Sequence, residues 1–155
     1  MFETLAPPQA RAAIIPSPDL ETSLSGDASR ISDVAQTMLR HLEKPGEPRS
    51  IPYMVSSLEE LGLRGHPTYG EVLAAARSRG GHNCNPYLAL SILALPLGGP
   101  VGRLLMHAIP DSEGEGCRFE IHEHADLRLL RGVAARKRSG HWDPAVPVIY
   151  QLEHG

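Results

Sequence analysis

Between residues 117 and 129 apolar and polar side chains alternate one by one, and no other stretch so narrows the folds open to this chain. Successive side chains of a β-strand point to opposite faces, so a period of two gives one face to a core and the other to water. Cys117, Phe119, Ile121, Ala125, Leu127 and Leu129 fall on one face with Glu123, and Arg118, Glu120, His122, His124, Asp126 and Arg128 on the other. Residues 101–109 are mainly apolar, and a polar turn with glycines at Gly114 and Gly116 separates them from the alternating run. The pair reads as a β-hairpin with one wet face. A last strand is expected over residues 146–152, after a basic connection over residues 132–140.

Upstream the period changes to that of a helix. Ile31, Val34, Ala35, Met38, Leu39 and Leu42 share one face of a helix expected over residues 30–44. Asp27 or Ser29 is placed to cap its start, Arg40, His41 and Lys44 suit its negative end, and Pro45-Gly46 stops it. Ser57 with Glu60 and Thr68 with Glu71 match the capping box and predict two shorter helices, ending at Gly62 and at Gly80-Gly81. A fourth helix is expected from Asn85-Pro86. Its residues Tyr87, Leu88, Leu90, Ile92, Leu93, Ala94 and Leu95 are apolar on every side, which marks it as central and buried. The fold class expected is therefore α+β, with about four N-terminal helices followed by a small antiparallel sheet of about three strands.

Residues 1–27 contain Pro7, Pro8, Pro16 and Pro18 and are expected to form a flexible arm in which Ile14-Ile15 could add an edge strand. Residues 28–155 are expected to form a single domain. The chain begins without the basic and apolar regions of a signal peptide and has only two cysteines, Cys84 and Cys117. A cytoplasmic location with both thiols reduced is the expectation. Residues 80–102 carry no Lys, Arg, Asp or Glu, but their apolar heart is short and broken by Pro96, Gly98, Gly99 and Pro100, so no membrane span is expected. A net charge of −3 argues against a dedicated nucleic-acid binder, and the acidic turn with Asp111, Glu113 and Glu115 would repel phosphate from the hairpin tip.

Three constellations could carry chemistry. Cys84 lies one residue before a candidate helix cap, where the positive helix end favours a thiolate. A cysteine opening a buried helix, followed by strands bearing a histidine and then an acid, resembles the papain-like cysteine hydrolases and the transglutaminase-like enzymes. That resemblance implies Cys84 as nucleophile, a sheet histidine such as His122 as base, and Asp126 fixing its tautomer. His122 and His124, two apart on one strand face, could share a metal ion, for which zinc is the candidate. Gly116 followed by His122-Glu123-His124 is similar to the first cupin motif, although the glutamate expected after the second histidine is absent. No cofactor is otherwise implied. Arg128, Arg131, Arg136, Lys137 and Arg138 form a basic cluster, and His141-Trp142 holds the only tryptophan. Taken together, these residues predict a non-enzymatic interaction or regulatory module that binds a protein partner through its polar sheet face and basic loop. A small thiol hydrolase or transferase using Cys84 is the alternative.

Overall fold

The structure, a computed structural model, describes residues 11–14, 30–42, 50–135 and 141–152. Within them the chain builds one mixed sheet of eight strands and three short helices. In chain order these are β1 (Arg11–Ile14), α1 (Asp33–Arg40), β2 (Ser50–Ser56), α2 (Tyr69–Arg77), β3 (Gly81–His82), α3 (Leu88–Leu93), β4 (Gly102–Leu104), β5 (Ile109–Pro110), β6 (Gly116–His124), β7 (Leu127–Ala134) and β8 (Val148–Leu152). The expectation of about four leading helices and three trailing strands is thus overturned: strands run the length of the chain and the sheet dominates.

The sheet runs β1-β2-β8-β4-β6-β7, antiparallel except where β4 lies parallel to β8. Beyond Leu104 it forks. β3 continues alongside β8, pairing Gly81 with Leu152, while β5 continues alongside β6, pairing Ile109 with Cys117. The apolar run over residues 101–109 is therefore two short strands with a gap between them. β1 supplies the edge strand that Ile14 suggested; the other residues of the expected arm lie outside the described residues.

The inner face is covered, and the outer face is covered over β8 and the end of β4, while the outer side of β6 and β7 stays partly open. On the inner face α1 and α3 meet Ile51, Tyr53, Leu104, Phe119, Ile121, Leu130 and Ile149 in one apolar cluster. On the outer face Leu58, Leu61, Val72 and Ala76, from α2 and the turn before it, close over Leu105, Val148, Tyr150 and Trp142. Burying each such large aliphatic side chain stabilises the fold by roughly 1.5–3 kcal/mol.

Each departure from expectation has a local cause. α1 begins at Asp33 under the Ser32 cap, whose side chain accepts from the Ala35 amide, because Ile31 is drawn into a parallel bridge with Leu130. Ser32 N donates to Leu130 O and Leu130 N to Arg30 O, which ties the helix entry to the edge of β7. The helix stops at Arg40 with His41 as its C-cap, short of the expected end at Lys44; Lys44 and Pro45-Gly46 themselves lie outside the described residues. The Ser57/Glu60 capping box does form, with Ser57 N donating to Glu60 and Glu60 N to Ser57 Oγ. It caps a turn and no helix, since Gly62 at φ 77° ends it and Leu63 N returns to Leu58 O. The Thr68/Glu71 box starts α2 as expected. All six residues of α3 are buried, as its all-round apolar pattern requires.

The hairpin also turns elsewhere than expected. Ala125 and Asp126 adopt φ 50° and 62°, the two left-handed positions of a tight two-residue turn, so β6 and β7 pair His124 with Leu127 and Glu123 with Arg128. An unbroken strand over residues 117–129 would have kept Arg128 on the wet face. The turn resets the parity, turning Arg128 and Leu130 inward and leaving Leu127 exposed.

Candidate functional site

Alternation along β6 sends Phe119 and Ile121 into the inner cluster and sets Arg118, Glu120 and His122 in a row on the outer face. The register then places two more cations on either side of the row's centre. Glu120 is opposite Arg103 on β4 and opposite Arg131 on β7. One carboxylate is thus surrounded by Arg103, Arg131, Arg118 and His122. Arg103 Nε donates to Glu120 Oε2 at 2.8 Å, and both side chains are under a tenth exposed. The other oxygen of Glu120 lies against His122 Nε2. Trp142 covers the Arg103 guanidinium at 5.2 Å from its ring centroid, within cation–π range.

Arg118 has a different neighbourhood. Its Nε donates to Met106 O at 2.7 Å, and its guanidinium stacks 4.0 Å from the centroid of Tyr69. Among the described residues no carboxylate forms an ion pair with it. Burial holds its guanidinium below the usual arginine range, and the nearby charge of Arg103 pushes the same way against the opposing influence of Tyr69. Tyr69 Oη donates to Asn83 Oδ1 at 2.6 Å, and the Asn83 amide meets His107 Nε2 at 3.2 Å. This chain of polar groups spans the fork where β3 and β5 diverge.

The thiol stands apart from all of this. Cys84 belongs to the inner cluster, its Sγ donates to Ile149 O at 3.3 Å, and its amide donates to Leu105 O. Burial pushes its pKa far up, which empties the thiolate at neutral pH. His122 occupies the opposite sheet face, and its acidic neighbour is Glu120. Asp126 sits exposed in the β6–β7 turn. The fold does not assemble Cys84, His122 and Asp126 into one site.

The remaining sequence-predicted residues fall as follows. His122 and His124 share a strand face, with His124 exposed, and among the described residues no three His, Cys, Asp or Glu side chains gather as a metal site. Arg128 is a structural residue, 3% exposed, donating to Ile92 O and Pro100 O past the end of α3 and pairing with Glu123. Arg131 is exposed on the outer face. Trp142 is buried, with its indole N–H donating to Val146 O, and His141 beside it is half-buried. Arg136, Lys137 and Arg138 lie outside the described residues.

Sequence reasoning missed Arg103, Tyr69 and Asn83. Only Glu120 carried a usable signal, as the carboxylate two residues from His122 on one strand face. Among the described residues no helix is long and apolar enough to cross a membrane. Comparison with protein-family models, curated proteins and solved structures gave no match.

Proposed function

We propose that this chain is a non-enzymatic interaction module whose outer sheet face docks an acidic segment of a protein partner. The observation that carries the reading is the charge imbalance on that face. Three arginines, Arg103, Arg118 and Arg131, neighbour the one carboxylate of Glu120 on that face, and of the three only Arg103 forms an ion pair with it among the described residues, in a chain whose net charge is −3. Glu120 is engaged by Arg103 and His122, so Arg131, exposed on that face, keeps its positive charge for an incoming carboxylate, with buried Arg118 adding to the field behind it. Arg136, Lys137 and Arg138 follow β7 in sequence and add the same sign. The thiol-enzyme alternative loses its support, because its nucleophile is sealed in the core and separated from His122 by the sheet.

The test is a titration of the full chain with an oligoglutamate peptide, followed by amide and indole chemical shifts. Saturable shifts at Arg118, Arg131 and the Trp142 indole are expected, weakening as salt is raised and reduced by Arg131→Glu. Shifts that do not saturate, or that leave these positions untouched, would remove the reading.

A further inference from the structure

β7 ends the sheet on its side, and its pairing with β6 fixes which backbone groups point to the free edge. Ala135 N donates to Gly116 O, so odd-numbered residues of β7 turn their N–H and C=O toward β6 and even-numbered residues turn theirs away. Leu130 follows this parity. Its N–H donates to Arg30 O and its C=O accepts from Ser32 N, in the parallel bridge with Ile31. The edge thus already pairs with one extended stretch of chain. Past Ser32 that stretch turns into α1 and leaves the edge. Among the described residues nothing pairs with the outward N–H and C=O of Gly132 and Ala134. Donors and acceptors at strand spacing, with no partner, are a template for another strand.

The side chains around this edge say what kind of strand fits. Arg131 is exposed on the outer face. On the inner face Val34 of α1 is 37% exposed, and its Cγ1 stands 2.6 Å from where a Gly132 Cβ would lie. Asp33, exposed at the start of α1, lies on that inner side as well. From Leu127 to Trp142 the sequence holds Arg128, Arg131, Arg136, Lys137 and Arg138 and no Asp or Glu. A second copy of β7 would set that run against itself, and like charges facing each other across a ladder are destabilising. An acidic strand complements it. Successive residues of a strand alternate between faces, so the complementary strand carries acidic residues on the outer side, toward Arg131. On the inner side, against Val34 and beside the like charge of Asp33, it carries apolar ones.

We infer that the acidic segment docks as an added β-strand on the free edge of β7 at residues 132–134, in a sequence that alternates acidic and apolar residues. The inference rests on the docking reading for the sign of the charge, and on the unpaired edge for the strand.

The experiment follows amide hydrogen exchange in the full chain by NMR, with end-blocked Glu-Val-Glu-Val-Glu-Val and Ser-Val-Ser-Val-Ser-Val peptides as probes. In the free chain the Gly132 and Ala134 amides are expected to exchange fast and the Leu130 amide slowly. At about 100 times its Kd the acidic peptide should slow Gly132 and Ala134 about 100-fold. N-methylating every glutamate or every valine of that peptide tests the ladder. One of the two sets turns its N–H groups to β7 and should lose binding, and the other should keep it. Ala134→Pro removes an outward N–H without touching the β6 ladder, so it should abolish binding while circular dichroism shows the fold retained. Arg131→Ala should weaken the acidic peptide about two- to fivefold and leave the serine peptide unchanged. Slow exchange of Gly132 and Ala134 in the free chain at every concentration means that the chain itself covers the edge, and overturns the inference. Protection that grows with protein concentration alone makes a second copy the occupant and overturns it too. Saturable shifts at Arg131 and the Trp142 indole, with no slowing at Gly132 and Ala134, overturn strand addition and leave the docking reading standing. Equal affinity for the serine peptide overturns acidic docking and leaves strand addition.

Discussion

Removing the charge of Glu120 tests the constellation most directly. In Glu120→Gln the amide keeps the side chain's shape and can still accept from Arg103 Nε, but Arg103, buried and 2.8 Å away, loses its counter-charge. Breaking a buried pair costs about 3–5 kcal/mol, because the surviving ion is left desolvated and unpaired. The retained hydrogen bond and the Trp142 ring over Arg103 place this substitution near the lower end, at about 3 kcal/mol. With an m-value of about 1–3 kcal/mol/M, the urea midpoint should fall by roughly 1–3 M. Trp142 is the only tryptophan and sits on the pair, so its fluorescence reports unfolding at the right place. Arg103→Met in the same background should recover part of the loss, giving a coupling of about 2 kcal/mol in a double-mutant cycle. A Glu120→Gln cost within about 0.5 kcal/mol, the range of an ordinary surface change, or an additive cycle, would refute the claim that this carboxylate neutralises a buried cation.

Arg128→Ala should cost about 3 kcal/mol in urea denaturation, since it strips the carbonyls of Ile92, in the last turn of α3, and of Pro100, in the connection that follows, of a buried donor, whereas Arg131→Ala, three residues on and exposed, should stay within about 0.5 kcal/mol. Similar costs for the two would show that the strand parity is misassigned. Cys84 should resist iodoacetamide at neutral pH in the folded chain and react at once in denaturant. Because burial raises its pKa above the ordinary 9.0, the stability this thiol contributes is complete below that value and is lost as pH rises past it, by preferential ionisation of the unfolded chain. A Cys84→Ala variant should lack that alkaline loss. Gly132→Ala would bring a Cβ to 2.5 Å from Met38 Sδ and 2.6 Å from Val34 Cγ1, and should destabilise by about 1–3 kcal/mol as α1 is pushed off β7.

Legibility varied with the range of the interactions involved. The Thr68/Glu71 cap, the burial of α3 and the outward row Arg118, Glu120, His122 follow from residues within a few positions of one another. The strand β2, with sequence Ser-Ile-Pro-Tyr-Met-Val-Ser, gave no such signal, because Pro52 argues against a strand; it is accommodated opposite Ala12 of β1. The turn at Ala125-Asp126 was hidden for the same reason in reverse. Nothing in Ala-Asp advertises two left-handed residues, and the apolar alternation runs on through it. One missed turn moved Arg128 from a surface contact to a helix-end clamp. The candidate site was half legible. The strand period shows that the row on β6 faces outward, but Arg103 joins it through pairing with Glu120, and Tyr69 through the docking of α2.

What the sequence determined alone was local: periods of two and of three to four, caps, and a segment without charge that had to be buried. These are set by backbone geometry and by the cost of leaving apolar surface in water, which nearest neighbours suffice to express. Tertiary structure decided the rest. Whether Cys84 is a nucleophile or a sealed thiol, whether His122 answers to Asp126 or to Glu120, and which arginine meets solvent all depend on strand order and register. Those are settled by which distant faces bury one another, and local propensity carries no term for that choice.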